Sequence, residues 1–225
     1  MKTVDIAKYI DHTLLKPEAT ADDIAKLCRE AKRFGFASVC VHPCWAALAA
    51  KKLKGSGVKT CTVVGFPLGC DLTIEQSLAI ETMRAAGVRE FDFAMNTGRF
   101  RSDAVRLFKE YEFLLQMFDK SIVTKLIIEC CNLSDDEKIE ACHMAYLAGF
   151  DFVKTSTGFG SGGATVEDVR LMRKAVGTSL GVKASGGIRT LADAEAMIAA
   201  GATRIGTSAG VEIMKEYRKR KMENG

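Results

Sequence analysis

One plan recurs along the whole chain: an amphipathic helix opened by a hydroxyl residue, closed by a glycine, and followed at once by a short run of strand formers. The junctions Phe34-Gly35-Phe36-Ala37-Ser38-Val39-Cys40-Val41 and Ala86-Gly87-Val88-Arg89-Glu90-Phe91-Asp92-Phe93 are two copies. Ala148-Gly149-Phe150-Asp151-Phe152-Val153-Lys154 and Ala200-Gly201-Ala202-Thr203-Arg204-Ile205-Gly206 are two more. Each glycine stands where a helix ends most easily, in the left-handed conformation. Thr20 with Asp23, Ser134 with Glu137, Thr165 with Asp168 and Thr190 with Asp193 mark helix starts, each an acid three residues after a capping hydroxyl. Two apolar stripes at helical spacing are expected, Ile24, Leu27, Cys28 and Ala31 in one helix and Ile139, Cys142, His143 and Tyr146 in another.

Eight strand candidates alternate with these helices, at about 9–12, 38–42, 59–65, 90–96, 124–130, 151–156, 181–185 and 203–207. Strict alternation implies parallel strands joined by right-handed crossovers. Eight units in 225 residues fit a (β/α)8 TIM barrel, which needs roughly 200 residues or more. A doubly wound sheet usually has fewer units and an early glycine-rich nucleotide turn, and the first units here carry none. No Pro- or Ser-rich linker divides the chain. The expectation is a single α/β domain over residues 1–225, a (β/α)8 barrel with a short extra helical segment before the first strand.

Composition narrows the function classes. No apolar run approaches the ~20 residues that span a bilayer, and Met1-Lys-Thr-Val-Asp-Ile6 lacks the apolar stretch of a secretion signal. Eight cysteines in such a chain read as reduced thiols, which predicts a cytoplasmic protein. Net charge is +4, concentrated in Lys215-Glu-Tyr-Arg-Lys-Arg-Lys221. That run reads as a solvated helix end rather than a nucleic-acid patch. A small anionic ligand suits the charge equally well.

Strand parity then points to a site. Alternate residues of a strand face opposite sides. Phe91, Phe93 and Met95 oppose Glu90, Asp92, Ala94 and Asn96, and Leu126, Ile128 and Cys130 oppose Lys125, Ile127 and Glu129. With the large apolar sets against the helices, the polar sets face the lumen, and the same parity turns Lys154 and Lys183 inward. Asp92, Lys125, Glu129, Lys154 and Lys183 are therefore expected to converge, where a purely structural lumen would be layered Val, Ile and Leu. An ordinary lysine, pKa ~10.4, is a free amine in only about one molecule in 2,500 at pH 7. Two ammonium groups ~6 Å apart at an effective dielectric of ~20 repel by about 2.8 kcal/mol, or roughly two pKa units. Lys154 and Lys183 are thus expected to depress one another's pKa, a route to an amine that forms a Schiff base with a carbonyl. Neighbouring carboxylates oppose that effect.

Glycines after the last two strands, in Ser185-Gly186-Gly187-Ile188-Arg189-Thr190 and Gly206-Thr207-Ser208-Ala209-Gly210, predict a phosphate site, because barrels commonly hold phosphate there on backbone N–H groups. Gly158-Phe-Gly160-Ser-Gly-Gly163 has the Gly-x-Gly-x-x-Gly spacing, but no acidic residue ends the next strand, so a dinucleotide is not expected. That loop either closes over substrate or is flexible. Cys40-Val-His42-Pro-Cys44 reads as packing rather than a metal site, His143 as core, and His12, at the end of the first strand, as a residue facing the site. The sequence has no Walker loop and no zinc-type pairing of cysteines.

Taken together, these segments resemble the deoxyribose-phosphate aldolases. The resemblance runs from Asp11-His-Thr-Leu-Leu-Lys-Pro17 through Val64-Gly-Phe-Pro-Leu-Gly69, Glu90-Phe-Asp92 and Lys125-Leu-Ile-Ile-Glu129. It continues through Asp151-Phe-Val-Lys-Thr-Ser-Thr-Gly-Phe159 and Val182-Lys-Ala-Ser-Gly-Gly-Ile-Arg189 to Arg204-Ile-Gly-Thr-Ser208. It implies reversible cleavage of 2-deoxy-D-ribose 5-phosphate to D-glyceraldehyde 3-phosphate and acetaldehyde, without a cofactor. By that resemblance Lys154 is the Schiff-base lysine, Lys183 the second lysine and Asp92 the proton relay, with Asp11 and Lys125 supporting. Gly186, Gly187, Gly206 and Ser208 match the phosphate cradle, and Thr157 and Gly158 further substrate contacts. The resemblance also implies a homodimer or higher homo-oligomer, and no nucleic-acid or membrane partner. The chain departs from the family pattern at Glu90-Phe-Asp-Phe-Ala-Met-Asn96, at Ala79 where a Glu is usual, and in a tail without a terminal Tyr, for which Tyr217 is the available substitute. Two other readings stay open here: a Schiff-base aldolase for another phosphorylated sugar, and a non-catalytic sugar-phosphate-binding barrel.

Overall fold

A computed structural model describes residues 5–223; residues 1–4, which contain most of the segment read for a secretion signal, and 224–225 of the tail lie outside the described residues. Eight parallel strands close into a barrel in sequence order. They are β1 Ile10–Leu14, β2 Ser38–Val41, β3 Lys59–Val64, β4 Glu90–Ala94, β5 Val123–Ile127, β6 Phe152–Lys154, β7 Gly181–Ser185 and β8 Arg204–Thr207. The crossovers are α1 Ala21–Phe34, α2 Pro43–Leu53, α3 Thr73–Ala85, the pair α4 Thr97–Ser102 and α5 Ala104–Leu115, α6 Asp135–Ala148, α7 Val166–Val176 and α8 Leu191–Ala199, with α9 Gly210–Glu223 after the last strand. A 3₁₀ turn, Ile6–Tyr9, precedes β1 and is the expected extra helical segment.

The caps form as their chemistry dictates. Thr20, Ser134 and Thr190 each accept the amide three residues on while the acid there reaches back to the cap amide, and Thr165 accepts from Asp168 N–H. Gly35 (φ 69°) and Gly149 (φ 95°) end α1 and α6 in the left-handed conformation, so each chain reverses directly into the next strand. Ile24, Leu27, Cys28 and Ala31 are all buried beneath α1. On α6 the stripe is different: Ala141, Cys142, Met144 and Ala145 are buried, whereas His143 and Tyr146 face solvent. Small side chains let that helix lie close to the barrel, so His143 is not a core residue.

The main core fills the space between barrel and helices, with Phe91, Phe93, Leu126, Val153 and Val182 pointing outward into it. A second, small cluster of Leu15, Cys40, Cys61 and Val63, with Phe66 against it, lies toward the lumen, where Cys61 Sγ is 3.3 Å from Asp92 Oδ1. The lumen therefore has an apolar flank beside β2 and β3. Its remainder is charged, and that is the site.

Candidate active site

Register sets the charged cluster. Asp92 on β4 is level with Lys125 on β5, and Lys154 on β6 with Lys183 on β7. Their side chains meet at Asp92. Its Oδ2 accepts from Lys154 Nζ at 2.9 Å and Lys183 Nζ at 2.7 Å, and its Oδ1 from Lys125 Nζ at 3.0 Å. Asp11 on β1 pairs with Lys183 at 2.7 Å and accepts from Arg204 Nη1 and Ser38 Oγ, both at 2.6 Å. Glu90 on β4 pairs with Lys125 at 2.6 Å and with Arg204 at 3.1 Å. All of these groups are buried except Arg204, which is partly exposed. Gly206 makes room for the arrangement, because a Cβ there would lie 2.9 Å from Ser185 Cβ and 3.1 Å from Lys183 Cε.

The electrostatics follow from the pairing. Burial alone would raise the pKa of Asp92, but Lys125, Lys154 and Lys183 outweigh it and hold the carboxyl well below its ordinary range. Asp11 is likewise held down against its burial, by Lys183 and Arg204 first. Burial opposes the charge on Lys183, yet Asp11 and Asp92 outweigh it and raise its pKa above the ordinary lysine value. The expected mutual depression of the two lysines is thus reversed for Lys183, because two carboxylates sit closer to it than the repulsion between amines can offset. Lys125 is raised for the same reason, by Asp92 first among its neighbouring charges.

Two expected site residues are elsewhere. Glu129 does not reach the lysines; strand pairing ends before it, its backbone turns left-handed (φ 56°), and its carboxylate accepts from Thr157 instead. His12 faces away from the lumen, since Asp11 holds the inward position on β1. Its Nε2 pairs with Glu30 of α1 at 2.9 Å and its ring packs on Phe36. Glu90 and Arg204 were not expected in the cluster, although the same parity places each on the inner face, Glu90 with Asp92 and Arg204 with Gly206.

Above the cluster, at the carboxyl ends of the strands, opens a cavity of about 280 Å³. Thr157, Gly158, Gly186, Gly187, Gly206 and Ser208 line it, as expected, and Lys154 is the cluster member that joins them. Gly186 (φ 88°) and Gly187 (φ 82°) are both left-handed, which a side chain would strain. Two cations that the sequence reading passed over, Lys16 and Arg189, stand at the rim, with Phe159. The Gly158–Gly163 segment packs as a wall of this cavity: Ala164 N–H donates to Gly186 O at 3.0 Å, and a Cβ on Gly163 would lie 2.4 Å from that oxygen. Gly163 serves loop-on-loop contact, and Gly162 makes room for Cys131, whose Cβ would lie 2.9 Å from a Cβ there.

Cys40, His42 and Cys44 point apart, with Cys40 buried, Cys44 exposed and His42 Nε2 bonded to Leu15 O at 2.9 Å. Among the described residues, Cys40, Cys61 and Asp92 bring ligand-type atoms within 4.8 Å of one another. A metal ion there would face an Asp92 already shared by three ammonium groups, and burial first of all keeps the Cys61 thiol well above its ordinary pKa. The lumen instead sets Lys125, Lys154, Lys183 and Arg204 beneath a cavity lined by glycines and Ser208.

Comparisons with known proteins agree. The family model described as DeoC/LacD family aldolase matches residues 122–216. Deoxyribose-phosphate aldolase of Thermoanaerobacter sp. (strain X514) is 54% identical over 97% of this chain and 100% of its own length. That of Clostridium perfringens (strain SM101 / Type A) is 51% identical over 95% and 96%. Among solved structures, the tetrameric deoxyribose phosphate aldolase from Aeropyrum pernix superposes with a TM-score of 0.89 at 32% identity, covering 95% of this chain and 91% of that one. The structure described as QR15, an aldolase, superposes with a TM-score of 0.93 at 37% identity over 98% and 99%.

Proposed function

The chain belongs to the deoxyribose-phosphate aldolase family and is a carbon–carbon lyase that cleaves 2-deoxy-D-ribose 5-phosphate reversibly to D-glyceraldehyde 3-phosphate and acetaldehyde, and from that premise we propose that Lys154 carries the reaction as a Schiff base. The observation that carries this assignment is the unequal pairing in the lumen. Four cationic groups, Lys125, Lys154, Lys183 and Arg204, face three carboxylates, Asp11, Glu90 and Asp92. Among the described residues, Lys125, Lys183 and Arg204 each touch two carboxylates, and Lys154 touches Asp92 alone, through an oxygen it shares with Lys183. Removing the proton of Lys154 leaves three cations on three carboxylates. Lys154 is also the amine that lines the cavity.

Neutral Lys154 Nζ adds to the C1 aldehyde and loses water to give an iminium. The iminium withdraws electrons from the adjacent bond as the C3 hydroxyl gives up its proton. The bond that breaks is C2–C3, because acetaldehyde keeps C1 and C2 and glyceraldehyde 3-phosphate keeps C3 to C5. Protonation of the enamine at C2 and hydrolysis of the new iminium release acetaldehyde and restore the amine. Asp92 is held ionised and Lys183 protonated, so the pair offers an acceptor and a donor side by side for the C3 hydroxyl and C2 protons. The Gly186–Gly187 turn and the Gly206–Ser208 segment suit the phosphate, with Arg189 and Lys16 adding charge, and that anchor places the reacting carbons at Lys154. Trapping with acetaldehyde and borohydride, followed by peptide mass mapping, tests the assignment. The adduct is expected on the peptide containing Lys154; an adduct on Lys183 alone, or none, would overturn it.

Two further readings concern assembly and compartment. Leu68, Leu72, Ile74 and Leu78 are 72%, 63%, 70% and 65% exposed at the start of α3, an apolar row that favours self-association. With the Aeropyrum pernix relative being tetrameric, we infer a homo-oligomer, tested by light scattering of the unmodified chain against Leu78→Glu. Among the described residues no helix is long and apolar enough to cross a membrane. Cys40 and Cys61, level on neighbouring strands and both free, suit the reducing cytoplasm.

A further inference from the structure

Glu129 takes no part in the lumen chemistry, yet it is the most constrained residue around the cavity. Among the described residues it is the one non-glycine with a left-handed φ, a conformation that persists for such a residue only when its surroundings over-determine it. The flanking amides do that. Ile128 N–H donates to Lys154 O at 3.0 Å and Cys130 N–H to Thr155 O at 2.8 Å, so the chain is pinned to β6 on both sides of the kink.

The kink carries the Glu129 carboxylate over the segment that directly follows Lys154. There Oε2 accepts Thr157 Oγ1–H at 2.5 Å and Thr157 N–H at 3.2 Å. Thr157 Oγ1 in turn accepts Phe159 N–H at 3.0 Å, closing a turn around Gly158, whose φ is 87°. Gly160 completes the seat, since a Cβ there would lie 3.1 Å from Glu129 Oε1. Thr157, Gly158 and Phe159 line the substrate cavity; Glu129 does not. Its carboxylate is buried and accepts both the backbone N–H and the hydroxyl of Thr157, with the Cys131 thiol 3.8 Å from Oε1.

We propose that Glu129 is a positioning residue of the aldolase: its carboxylate clamps the Thr157–Gly158–Phe159 turn as the wall of the cavity, and so sets where the phosphorylated end of the substrate lies relative to Lys154. The proposal rests on the assignment of Lys154 as the Schiff-base lysine. Two properties of Glu129 can be separated, its left-handed backbone and its carboxylate. Glu129→Gly keeps the first at no steric cost and removes the second. Glu129→Gln keeps an acceptor oxygen for Thr157.

The test measures KM and kcat for 2-deoxy-D-ribose 5-phosphate, with borohydride trapping of acetaldehyde in parallel. Acetaldehyde reaches Lys154 without needing the wall. Glu129→Gly is expected to lower kcat/KM on the order of 10²-fold, mostly through KM, with trapping at Lys154 within about twofold of the unmodified enzyme, the same ~10²-fold scale marking the contrast. Glu129→Gln is expected to recover most of the loss. Should Glu129→Gly not fold, Thr157→Val removes the same hydrogen bond from the other side and is expected to show the same rise in KM. Ordinary KM and kcat in Glu129→Gly, or in Thr157→Val, would overturn the clamp. Loss of acetaldehyde trapping in folded Glu129→Gly would overturn it too, by showing that the residue acts on the lumen. Failure of the unmodified enzyme to trap at Lys154 would remove the nucleophile assignment instead, with the KM comparison still deciding the clamp.

Discussion

The two ends of the charged lumen hold the same kinds of group and differ in how completely each charge is matched. Toward the amino ends of the strands, Lys125 bridges Glu90 and Asp92, and Arg204 bridges Asp11 and Glu90. Toward the carboxyl ends, Lys154 holds one oxygen of Asp92 and faces the cavity. Lys125 is 0% exposed and Lys154 3%, so burial does not separate a structural lysine from a reactive one. The number of carboxylates and the presence of open space beside the amine do. A buried cation with two anionic partners is fixed in its charged form, whereas one with a shared partner can lose its proton without stranding a carboxylate.

The sharpest way to break this contrast is to remove the reactive amine. Lys154→Leu is expected to lower kcat on the order of 10⁵-fold, as loss of a nucleophile does elsewhere, while the urea midpoint stays close to that of the unmodified enzyme. A Lys154→Leu enzyme with ordinary turnover would mean that the wrong lysine has been assigned. Lys183→Met comes next. It removes the proton donor and the neighbouring charge but leaves the nucleophile, so a fall of about 10²- to 10⁴-fold in kcat is expected, with borohydride trapping at Lys154 slowed rather than abolished.

Lys125→Met probes the other end. It strands Glu90 and Asp92 as buried carboxylates that each lose a partner within 3.0 Å, which is expected to cost about 3–5 kcal/mol of stability. Urea unfolding measures that, and Glu90→Gln in the same chain is expected to return part of it. If Lys125→Met instead kept full stability and lost turnover, the two ends would not be functionally distinct.

How much of this was legible beforehand follows from how rigid each rule is. The two-residue period of a strand placed Asp92, Lys125, Lys154 and Lys183 together, because β4 to β7 are regular up to those residues. The same rule covers Glu90 and Arg204, but parity gives only the inner face; that each reaches a partner in the cluster depends on side-chain distances of 2.6 to 3.1 Å that no spacing encodes. The rule failed at Glu129, where one left-handed residue cancels the alternation, and a non-glycine in that state has no sequence signature. His12 was misplaced because an exposed-looking polar run, Asp11-His12-Thr13, does not say which member faces inward; Asp11 does, being level with Gly206 and within reach of Lys183 and Arg204. The protonation of Lys183 was hidden for a different reason. Repulsion between two amines can be anticipated from strand pairing, but the offset by Asp11 and Asp92 depends on distances of 2.7 Å that no spacing encodes.

The smallest expected effect is that of pH on stability across the neutral range, and it sharpens the comparison because the cluster spans both ends. Asp11 and Asp92 have folded pKa values below their unfolded value of about 3.9. Their contribution is therefore fully present above that value and is lost only as pH falls below about 4. Lys183 and Lys125 are shifted upward, so their contribution is fully present below about 10.4 and is lost above it. The buried thiols of Cys28 and Cys142, pushed by burial up to about 11 and about 12, set the alkaline limit sooner. In the unfolded chain they ionise near 8.5, so stability begins to fall above roughly that pH. Burial, as the largest cause, lowers the pKa of His12, so the unfolded chain takes up that proton first; the urea midpoint is thus expected to stay flat from about pH 7 to about pH 8 and to decline as pH falls through about 6.5. A fall above about pH 8 that is unchanged in the double variant Cys28→Ala, Cys142→Ala would show that these thiols do not set the alkaline limit.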